Sequence, residues 1–226
     1  ENMKKNLGPV SFNKVYQNNP VDPDAKFREE WIKTLRNKDL KKRNLLIKVY
    51  TDPIVKPTQT SCDAAVIVGA IDLDQLNNRD RLDPPDFIVL DAKIEPLTRK
   101  QTVEWHYTYD KRWHAIEHWF ESVAFSEWLM SDFDLAARRK GYRLNVRPYD
   151  QKRIHKDLRV DTLTGPAERG TIYFVSENGD VPKLIEQLVF YGSPGVERDG
   201  PDAMASLYDI LNRGGTMMTV YTGDDD

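Results

Sequence analysis

Three apolar runs in the first half of the chain constrain its fold more than any other feature. They are rich in β-branched residues and are bounded by proline or aspartate: residues 45–52 (LLIKVYTD), 62–72 (CDAAVIVGAID) and 86–96 (DFIVLDAKIEP). Runs of this length and composition predict buried β-strands. The loop that starts at Pro53 joins the first two runs into a hairpin, and the third run extends the sheet. We therefore expect an antiparallel three-stranded beginning.

The second half alternates helical and strand patterns. Helices are predicted at residues 99–112, 126–141, 151–165, 182–192 and 202–215, and strands at 113–122, 144–150 and 171–176. A further short helix is predicted at 28–38. In the helix at 151–165, the spacing of Ile154, Leu158 and Leu163 predicts that these side chains face the core. Together these patterns predict an α/β fold in which helices flank one central mixed sheet.

Composition limits the classes of protein to consider. The 226 residues are 39% hydrophobic and 31% charged, which suits one large folded domain with flanking segments. Residues 1–43 are expected to be a linker or arm, 44–213 the folded domain, and 214–226 an acidic tail. No apolar run approaches about 18 residues, so no membrane span is expected. Cys62 is the only cysteine, which excludes an internal disulfide and favours a reducing compartment.

Acidic residues stand at the ends of predicted elements. Asp52 ends the first strand, Glu121 ends the short aromatic run, and Asp199 and Asp202 flank the Gly-Pro pair where the last helix begins. Carboxylates in a chain with one cysteine and four histidines suit a hard cation such as Mg²⁺ or Mn²⁺. Each also has a structural explanation as a turn residue, an exposed residue or a helix cap. The residues alone leave both interpretations open.

Basic residues concentrate between positions 138 and 159. This stretch carries nine lysines and arginines against two aspartates, although the net charge of the chain is −3. A local basic stretch beside carboxylates is what a protein that cuts a phosphate backbone needs. A solvated helix face explains the same stretch, and its composition does not decide between the two.

A histidine motif offers a rival interpretation. His114, Glu117 and His118 match H-x-x-E-H, the zinc signature of inverted zinc peptidases. The motif requires a helix, because on a strand the two histidines would lie about 13 Å apart. Ordinary partly exposed histidines are the simpler interpretation. A non-catalytic DNA-handling module, in which the acidic residues are caps and turns, is the other alternative.

The order of motifs resembles a known family. A strand followed by Asp, a strand followed by Glu-x-x-Ala-Phe, Lys-Arg-Ile after a later strand, and Asp-Gly-Pro-Asp-Ala-Met-Ala at the start of a helix occur in that sequence. This order resembles the nuclease domain of the large terminase subunit of tailed bacteriophages, a member of the RNase H-like (RuvC-like) group. The stretch LGPVSFNKVYQNNPVDPDAKF is similar to the segment that leads into that domain. The resemblance covers residues from about 7 to 213.

The resemblance implies a metal site and a reaction. Asp52 would be the first metal-binding aspartate, Glu121 the second acidic ligand, and Asp199 or Asp202 the third, with Asp63 a secondary acidic position. Two Mg²⁺ or Mn²⁺ ions would then drive hydrolysis of the phosphodiester bond, one generating the nucleophile and one stabilising the leaving 3′-oxygen. Asp52 would bridge both ions, so its loss would be the most damaging.

The resemblance also implies partners. Lys152 and Arg153 would contact DNA phosphates, together with Arg143 and Arg147, and the substrate would be concatemeric double-stranded viral DNA cut with weak sequence preference. The family's partners are an N-terminal ATPase domain, a small terminase subunit and a portal, in the cytoplasm of the bacterial host. The Gly-x4-Gly-Lys-Ser/Thr phosphate loop of the ATPase does not occur in this sequence. We therefore expect a nuclease part without its motor.

Overall fold

One mixed β-sheet organises the molecule. The computed structural model describes residues 25–53, 63–78, 84–122, 127–150 and 154–214. Within these residues, the sheet has seven strands: β1 (Lys33–Thr34), β2 (Leu45–Asp52), β3 (Ala64–Asp72), β4 (Phe87–Glu95), β5 (Glu117–Glu121), β6 (Val146–Tyr149) and β7 (Ile172–Phe174). Their spatial order is β1-β7-β4-β3-β2-β5-β6. The pairs β2–β3 and β3–β4 are antiparallel, and the other neighbouring pairs are parallel.

Helices cover both faces of this sheet. They are α1 (Asn37–Leu40), α2 (Leu73–Leu76), α3 (Arg99–Trp113), α4 (Glu127–Lys140), α5 (Lys156–Asp161), α6 (Thr164–Glu168), α7 (Val181–Val189) and α8 (Asp199–Gly214). The start of α3 is fixed by a capping box between Thr98 and Gln101, which satisfies backbone N–H groups that have no partner within the helix. The same helix ends at His114, whose φ of 53° is left-handed.

The core lies on the two sides of β3, all nine residues of which are buried. On one face, Tyr50 and Ile67 pack in a cluster with Leu207 of α8. On the other face, Val49 and Val66 pack in a cluster with the Tyr109 ring of α3. Because helices cover both faces, the central strands are apolar along their whole length rather than alternating. The layers are therefore helix, sheet and helix, with α8 directly over β2 and β3.

The architecture expected from the sequence is confirmed. The sheet is mixed, its first three long strands are antiparallel, and helices flank it. The strand predicted at 45–52 has the same limits in the structure, and those at 62–72 and 86–96 are each shorter by two residues. The helix predicted at 99–112 extends by one residue to Trp113.

The helix predicted at 151–165 is wrong. Two short helices, α5 and α6, replace it from residue 156 onward, while residues 151–153 lie outside the described part. The N–H groups of Thr162 and Leu163 donate to the carbonyls of Arg159 and Val160, so a tighter i→i+3 turn separates the two helices. Leu163 is buried as predicted, but Ile154 and Leu158 are 44% and 60% exposed. The side of α5 that faces the protein carries Val160, which is fully buried, and the charged groups described below.

The helix predicted at 28–38 is also wrong. Glu29–Trp31 is a single 3-10 turn, and Lys33–Thr34 is the strand β1, which pairs with β7. Pairing with the sheet overrides the local helical preference here. Phe27 is 1% exposed within the core, so part of the segment expected to be a linker packs against the domain. Within the described ranges, no helix is both long and apolar enough to cross a membrane.

Candidate active site

Two of the predicted carboxylates lie side by side where β2 and β5 end. These strands are parallel, with Thr51 opposite Phe120, so Asp52 and Glu121 are the next residues in register. Residues paired in register project from the same face of a sheet. Asp52 and Glu121 therefore lie on the same face of the sheet, at the carboxyl ends of β2 and β5.

The other two carboxylates come from the start of α8. Asp199 and Asp202 both belong to the first turn of this helix, and their spacing of three sets them on one side. Asp199 is thus the first helical residue rather than a cap preceding the helix. The close packing beneath this turn needs a glycine, because a Cβ on Gly200 would lie 2.2 Å from Gln187 Oε1 and 2.8 Å from Ile94 Cδ1. The free N–H groups of the first turn favour negative charge there.

The electrostatics of Asp52 join these residues into one cluster. Burial raises the pKa of Asp52 to about 7; Lys156 opposes this rise, and the charges of Glu121, Asp202 and Asp199 add to it. A carboxyl group close to three other carboxylates resists ionisation, because like charges repel in a partly desolvated space. Asp52, Glu121, Asp199 and Asp202 are called the acidic cluster below.

Two cations from α5 pair with the acidic cluster. Arg159 Nε and Nη2 donate to the two Oδ atoms of Asp202 at 2.7 and 2.6 Å, a bidentate pair, and Asp202 is only 2% exposed. Lys156 Nζ lies 2.7 Å from Asp199 and 3.5 Å from Asp202. Burial lowers the pKa of Lys156, but Asp199, Asp202 and Asp52 outweigh it, so the pKa is raised overall. Both cations remain charged at neutral pH.

The composition of the acidic cluster fits a divalent cation. In the described part of the chain, no three acidic, histidine or cysteine side chains already stand in chelating geometry. The donors are nevertheless all carboxylates, the ligands that Mg²⁺ and Mn²⁺ prefer. When ionised, four carboxylates against Lys156 and Arg159 leave a net charge of −2. One divalent ion would balance that charge.

Asp63, the secondary acidic position, lies in an adjoining group. It directly precedes β3 and is 6% exposed. Lys183 Nζ lies 2.5 Å from its carboxylate and 3.6 Å from that of Glu197. Burial raises the pKa of Glu197, and its hydrogen bond to Asp63 and the charges of Asp63 and Asp199 raise it further against Lys183. Lys183 thus forms the ion pair that balances the charge of Asp63.

The basic residues predicted to bind DNA occupy different environments. Arg143 pairs with Asp134 at 2.6 Å, and its side chain is 70% exposed. Arg147 pairs with Glu117 at 3.0 Å and is half exposed. Lys152 and Arg153 lie outside the described residues. The basic stretch therefore divides its cations between the surface and the acidic cluster.

The H-x-x-E-H motif does not form the helix that a zinc site needs. His114 terminates α3 in a left-handed conformation, while Glu117 and His118 belong to the strand β5. His118 is fully buried, and its Nδ1 lies 2.9 Å from Nδ1 of His106. The two histidines therefore do not share one face of a helix, as the zinc site of such a peptidase requires.

Sequence reasoning missed four residues of the site: Lys156, Arg159, Lys183 and Glu197. Lys156 and Arg159 stood within the basic stretch but were not assigned to the carboxylates. Their spacing of three on a short helix was an available signal, because it sets both on one side. Charge balance was another, since buried carboxylates require cations. The positions of Lys183 and Glu197 depend on tertiary packing and gave no local signal.

Comparison with known proteins reveals similarity at the level of the fold. No family profile matches the chain, and no curated protein sequence matches it significantly. Among solved structures, similar folds include terminase nucleases of phages and of human cytomegalovirus, which confirms the fold implied by the resemblance drawn from the sequence. At this level of sequence identity, the likeness concerns the fold alone.

Three of these structures show the extent of the similarity. The large terminase nuclease of the thermophilic phage G20c, with bound magnesium, is 11% identical over 82% of this chain and 96% of its own, with a TM-score of 0.51. The human cytomegalovirus terminase nuclease domain is 13% identical over 75% and 86%, with a TM-score of 0.51. The nuclease domain of the large terminase subunit of bacterial virus Sf6 is 11% identical over 80% and 96%, with a TM-score of 0.50. Variants of the Sf6 protein carry calcium or manganese.

Proposed function

We propose that this domain is a divalent-metal-dependent endodeoxyribonuclease, the nuclease domain of a phage terminase large subunit that cuts double-stranded DNA. The observation that carries the proposal is the convergence of carboxylates from β2, β5 and α8 around Asp52, whose pKa is raised to about 7 first by burial and then, against Lys156, by the charges of Glu121, Asp202 and Asp199. A strongly perturbed carboxyl group among other carboxylates is typical of a functional centre rather than of a cap or turn. The terminase nuclease fold supports the same reading.

The acidic cluster would hold Mg²⁺ or Mn²⁺. With all four carboxylates ionised, one divalent ion would balance the net charge of −2 that Lys156 and Arg159 leave. A second ion would add excess positive charge unless Lys156 moved away or a DNA phosphate arrived with it. We therefore propose that the two-ion state forms only with DNA bound. Asp52, which feels the other three carboxylates, is the residue best placed to serve both ions.

The residues of this chain would divide the work. A divalent ion held by the acidic cluster would supply Lewis acidity for hydrolysis of the phosphodiester bond, activating water and stabilising charge on the leaving 3′-oxygen. Arg159 holds Asp202 in a fixed orientation through its bidentate contact. Lys156 favours ionised carboxylates and keeps a positive charge beside the position of the scissile phosphate. Glu121 and Asp52, fixed on adjacent strands, keep a constant separation.

Contacts with DNA would come mainly from its backbone. Arg143 and Arg147 are exposed and positively charged, and Lys152 and Arg153 lie between β6 and α5 in the sequence. Contacts of this kind carry little sequence information, so cutting should show weak sequence preference. The natural substrate would be concatemeric viral DNA in the host cytoplasm, and the partners an ATPase domain, a small terminase subunit and a portal.

A plasmid assay tests the proposal. Supercoiled plasmid is incubated with the protein in Mn²⁺ or Mg²⁺, with EDTA as the metal-free control. Asp52→Asn keeps the shape of the side chain and removes its charge. Asp74→Asn is the matched control, because Asp74 is exposed beyond the opposite end of β2 and β3. We expect nicked and linear DNA from the native protein and from Asp74→Asn, and loss of at least about 100-fold in Asp52→Asn.

Two results would count against the proposal. Intact plasmid at high protein concentration in both metals would exclude a nuclease. Cutting by Asp52→Asn at the native rate would leave a nuclease but exclude the acidic cluster as its centre.

A further inference from the structure

A buried pair of histidines lies on the side of the sheet opposite the acidic cluster. His106 of α3 and His118 of β5 are both fully buried, and their Nδ1 atoms are 2.9 Å apart. His106 Nε2 lies 2.6 Å from the hydroxyl of Thr51, which is also fully buried. His118 Nε2 lies 3.5 Å from the carboxylate of Asp110. Four polar side chains thus form one row through an otherwise apolar layer.

Hydrogen bonds join Thr51, His106 and His118. One of the two facing Nδ1 atoms donates and the other accepts, and the Thr51 hydroxyl, which can donate or accept, pairs with Nε2 of His106. His118 Nε2 faces the Asp110 carboxylate at 3.5 Å, an electrostatic contact rather than a hydrogen bond. Burial lowers the pKa of His118 to about 4 and also lowers that of His106, so both rings are neutral at physiological pH.

His106 contacts the residue before each strand-end carboxylate. Thr51, its hydrogen-bond partner, directly precedes Asp52. Phe120, on which the imidazole stacks at 4.4 Å between ring centroids, directly precedes Glu121. Because side chains alternate along a strand, Thr51 and Phe120 point to the face opposite the acidic cluster. The imidazole ring of His106 thus contacts the ends of both β2 and β5, on the face of the sheet opposite the acidic cluster.

We propose that His106 is a positioning residue, which fixes the separation of Asp52 and Glu121 through Thr51 and Phe120. The inference depends on the proposed nuclease function, since it concerns how the metal-binding carboxylates are held. A buried hydrogen bond of 2.6 Å restrains Thr51 at the end of β2, immediately before Asp52 and the proline that follows it. The stacked ring restrains the matching end of β5. The hydrogen bond between the Nδ1 atoms of His106 and His118 holds the imidazole of His106 from its other side.

Thr51→Val tests this role, because valine has the shape of threonine without the hydroxyl. Thr102→Val is the matched control: Thr102 is 3% exposed, and its hydroxyl donates to the Thr98 carbonyl, within its own helix. Thr51→Ser restores the hydroxyl. Mn²⁺ affinity is measured by titration calorimetry without DNA, and plasmid cutting gives kcat and KM separately.

The expected pattern is specific to positioning. A shift of about 1 Å in a catalytic group can cost about 100-fold, so loss of one restraint should cost about tenfold. We expect Thr51→Val to bind Mn²⁺ about tenfold more weakly and to lose about tenfold in kcat, with KM for DNA unchanged. Thr102→Val should match the native protein, and Thr51→Ser should recover most of the loss.

A second variant protects the test from a folding failure. His106→Phe keeps the stacked ring but removes its hydrogen bonds, and in combination with Thr51→Val it should cost no more than either change alone, because both remove the same bond. Native Mn²⁺ affinity and kcat in a folded Thr51→Val protein would overturn the inference and leave the nuclease proposal intact. If the native protein neither binds Mn²⁺ nor cuts DNA, the proposed function fails, and this inference fails with it.

Discussion

Replacing Asp52 by asparagine should stabilise the metal-free protein at high pH. The pKa of Asp52 rises from 3.8 to about 7 on folding, first through burial and then through its acidic neighbours, against Lys156. A raised carboxyl pKa favours the folded state fully below pH 3.8, and this contribution is lost as the pH rises through about 7. At about 1.36 kcal/mol per pKa unit, the upper bound is about 4 kcal/mol. Because solvent and Lys156 screen part of the repulsion, we expect about 1–3 kcal/mol.

Urea denaturation between pH 4 and 8.5, in EDTA, measures this effect. Asp52→Asn should exceed the native protein in free energy of unfolding at pH 8, and the difference should shrink by about 1–3 kcal/mol as the pH falls to 4. Titrating groups outside the acidic cluster and its cations cancel in that difference. At 100 times its dissociation constant, Mg²⁺ should add about 2.7 kcal/mol to the native protein and much less to the variant.

A difference between the two proteins that does not change with pH would refute the reasoning. It would mean that Asp52 ionises in the folded protein as easily as in the unfolded chain. The acidic cluster would then not be a centre of mutual repulsion. Asp74→Asn is the control variant in the same series, because Asp74 is exposed.

Three further changes test the surroundings of the site. Arg159→Met should lower the free energy of unfolding by about 2–4 kcal/mol in urea, since it leaves the buried Asp202 short of its bidentate partner, and a loss below about 1 kcal/mol would contradict that role. Gly200→Ala should cost about 1–3 kcal/mol and weaken Mn²⁺ binding, because its Cβ would meet Gln187, and a native-like protein would show that α8 packs more loosely. Arg147→Ala should change stability by less than about 1 kcal/mol but reduce the salt dependence of DNA binding by about one ion, whereas an unchanged salt slope would exclude a phosphate contact.

The strands could be predicted because their signals are local. The run at 45–52 is apolar until Asp52 and Pro53 stop it, and the observed strand has the same limits. Strands buried on both faces are apolar along their whole length, whatever the details of their packing, so the sequence alone reveals them. The same local reasoning placed Asp52 and Glu121 at strand ends. That these two ends adjoin required the parallel β2–β5 pairing, which no short pattern encodes.

The segment around α5 could not be predicted for the opposite reason. Its apolar spacing suggested that Ile154 and Leu158 face inward, yet both are exposed. Its orientation is set by contacts far along the chain: Val160 is fully buried in the core, and Arg159 and Lys156 pair with carboxylates from α8, more than 40 residues later. The spacing of Lys156 and Arg159 and the need to balance buried carboxylates were available signals, but no local pattern identifies their partners.

The central claim is that the acidic cluster binds the catalytic metal. Anomalous diffraction from a crystal soaked in Mn²⁺ tests it most directly, with Asp52→Asn as the comparison. We predict a manganese peak coordinated by Asp52 together with Glu121, Asp199 or Asp202, which disappears in the variant. Manganese bound only elsewhere, or a cluster still filled by Lys156 and Arg159 at saturating Mn²⁺, would contradict it.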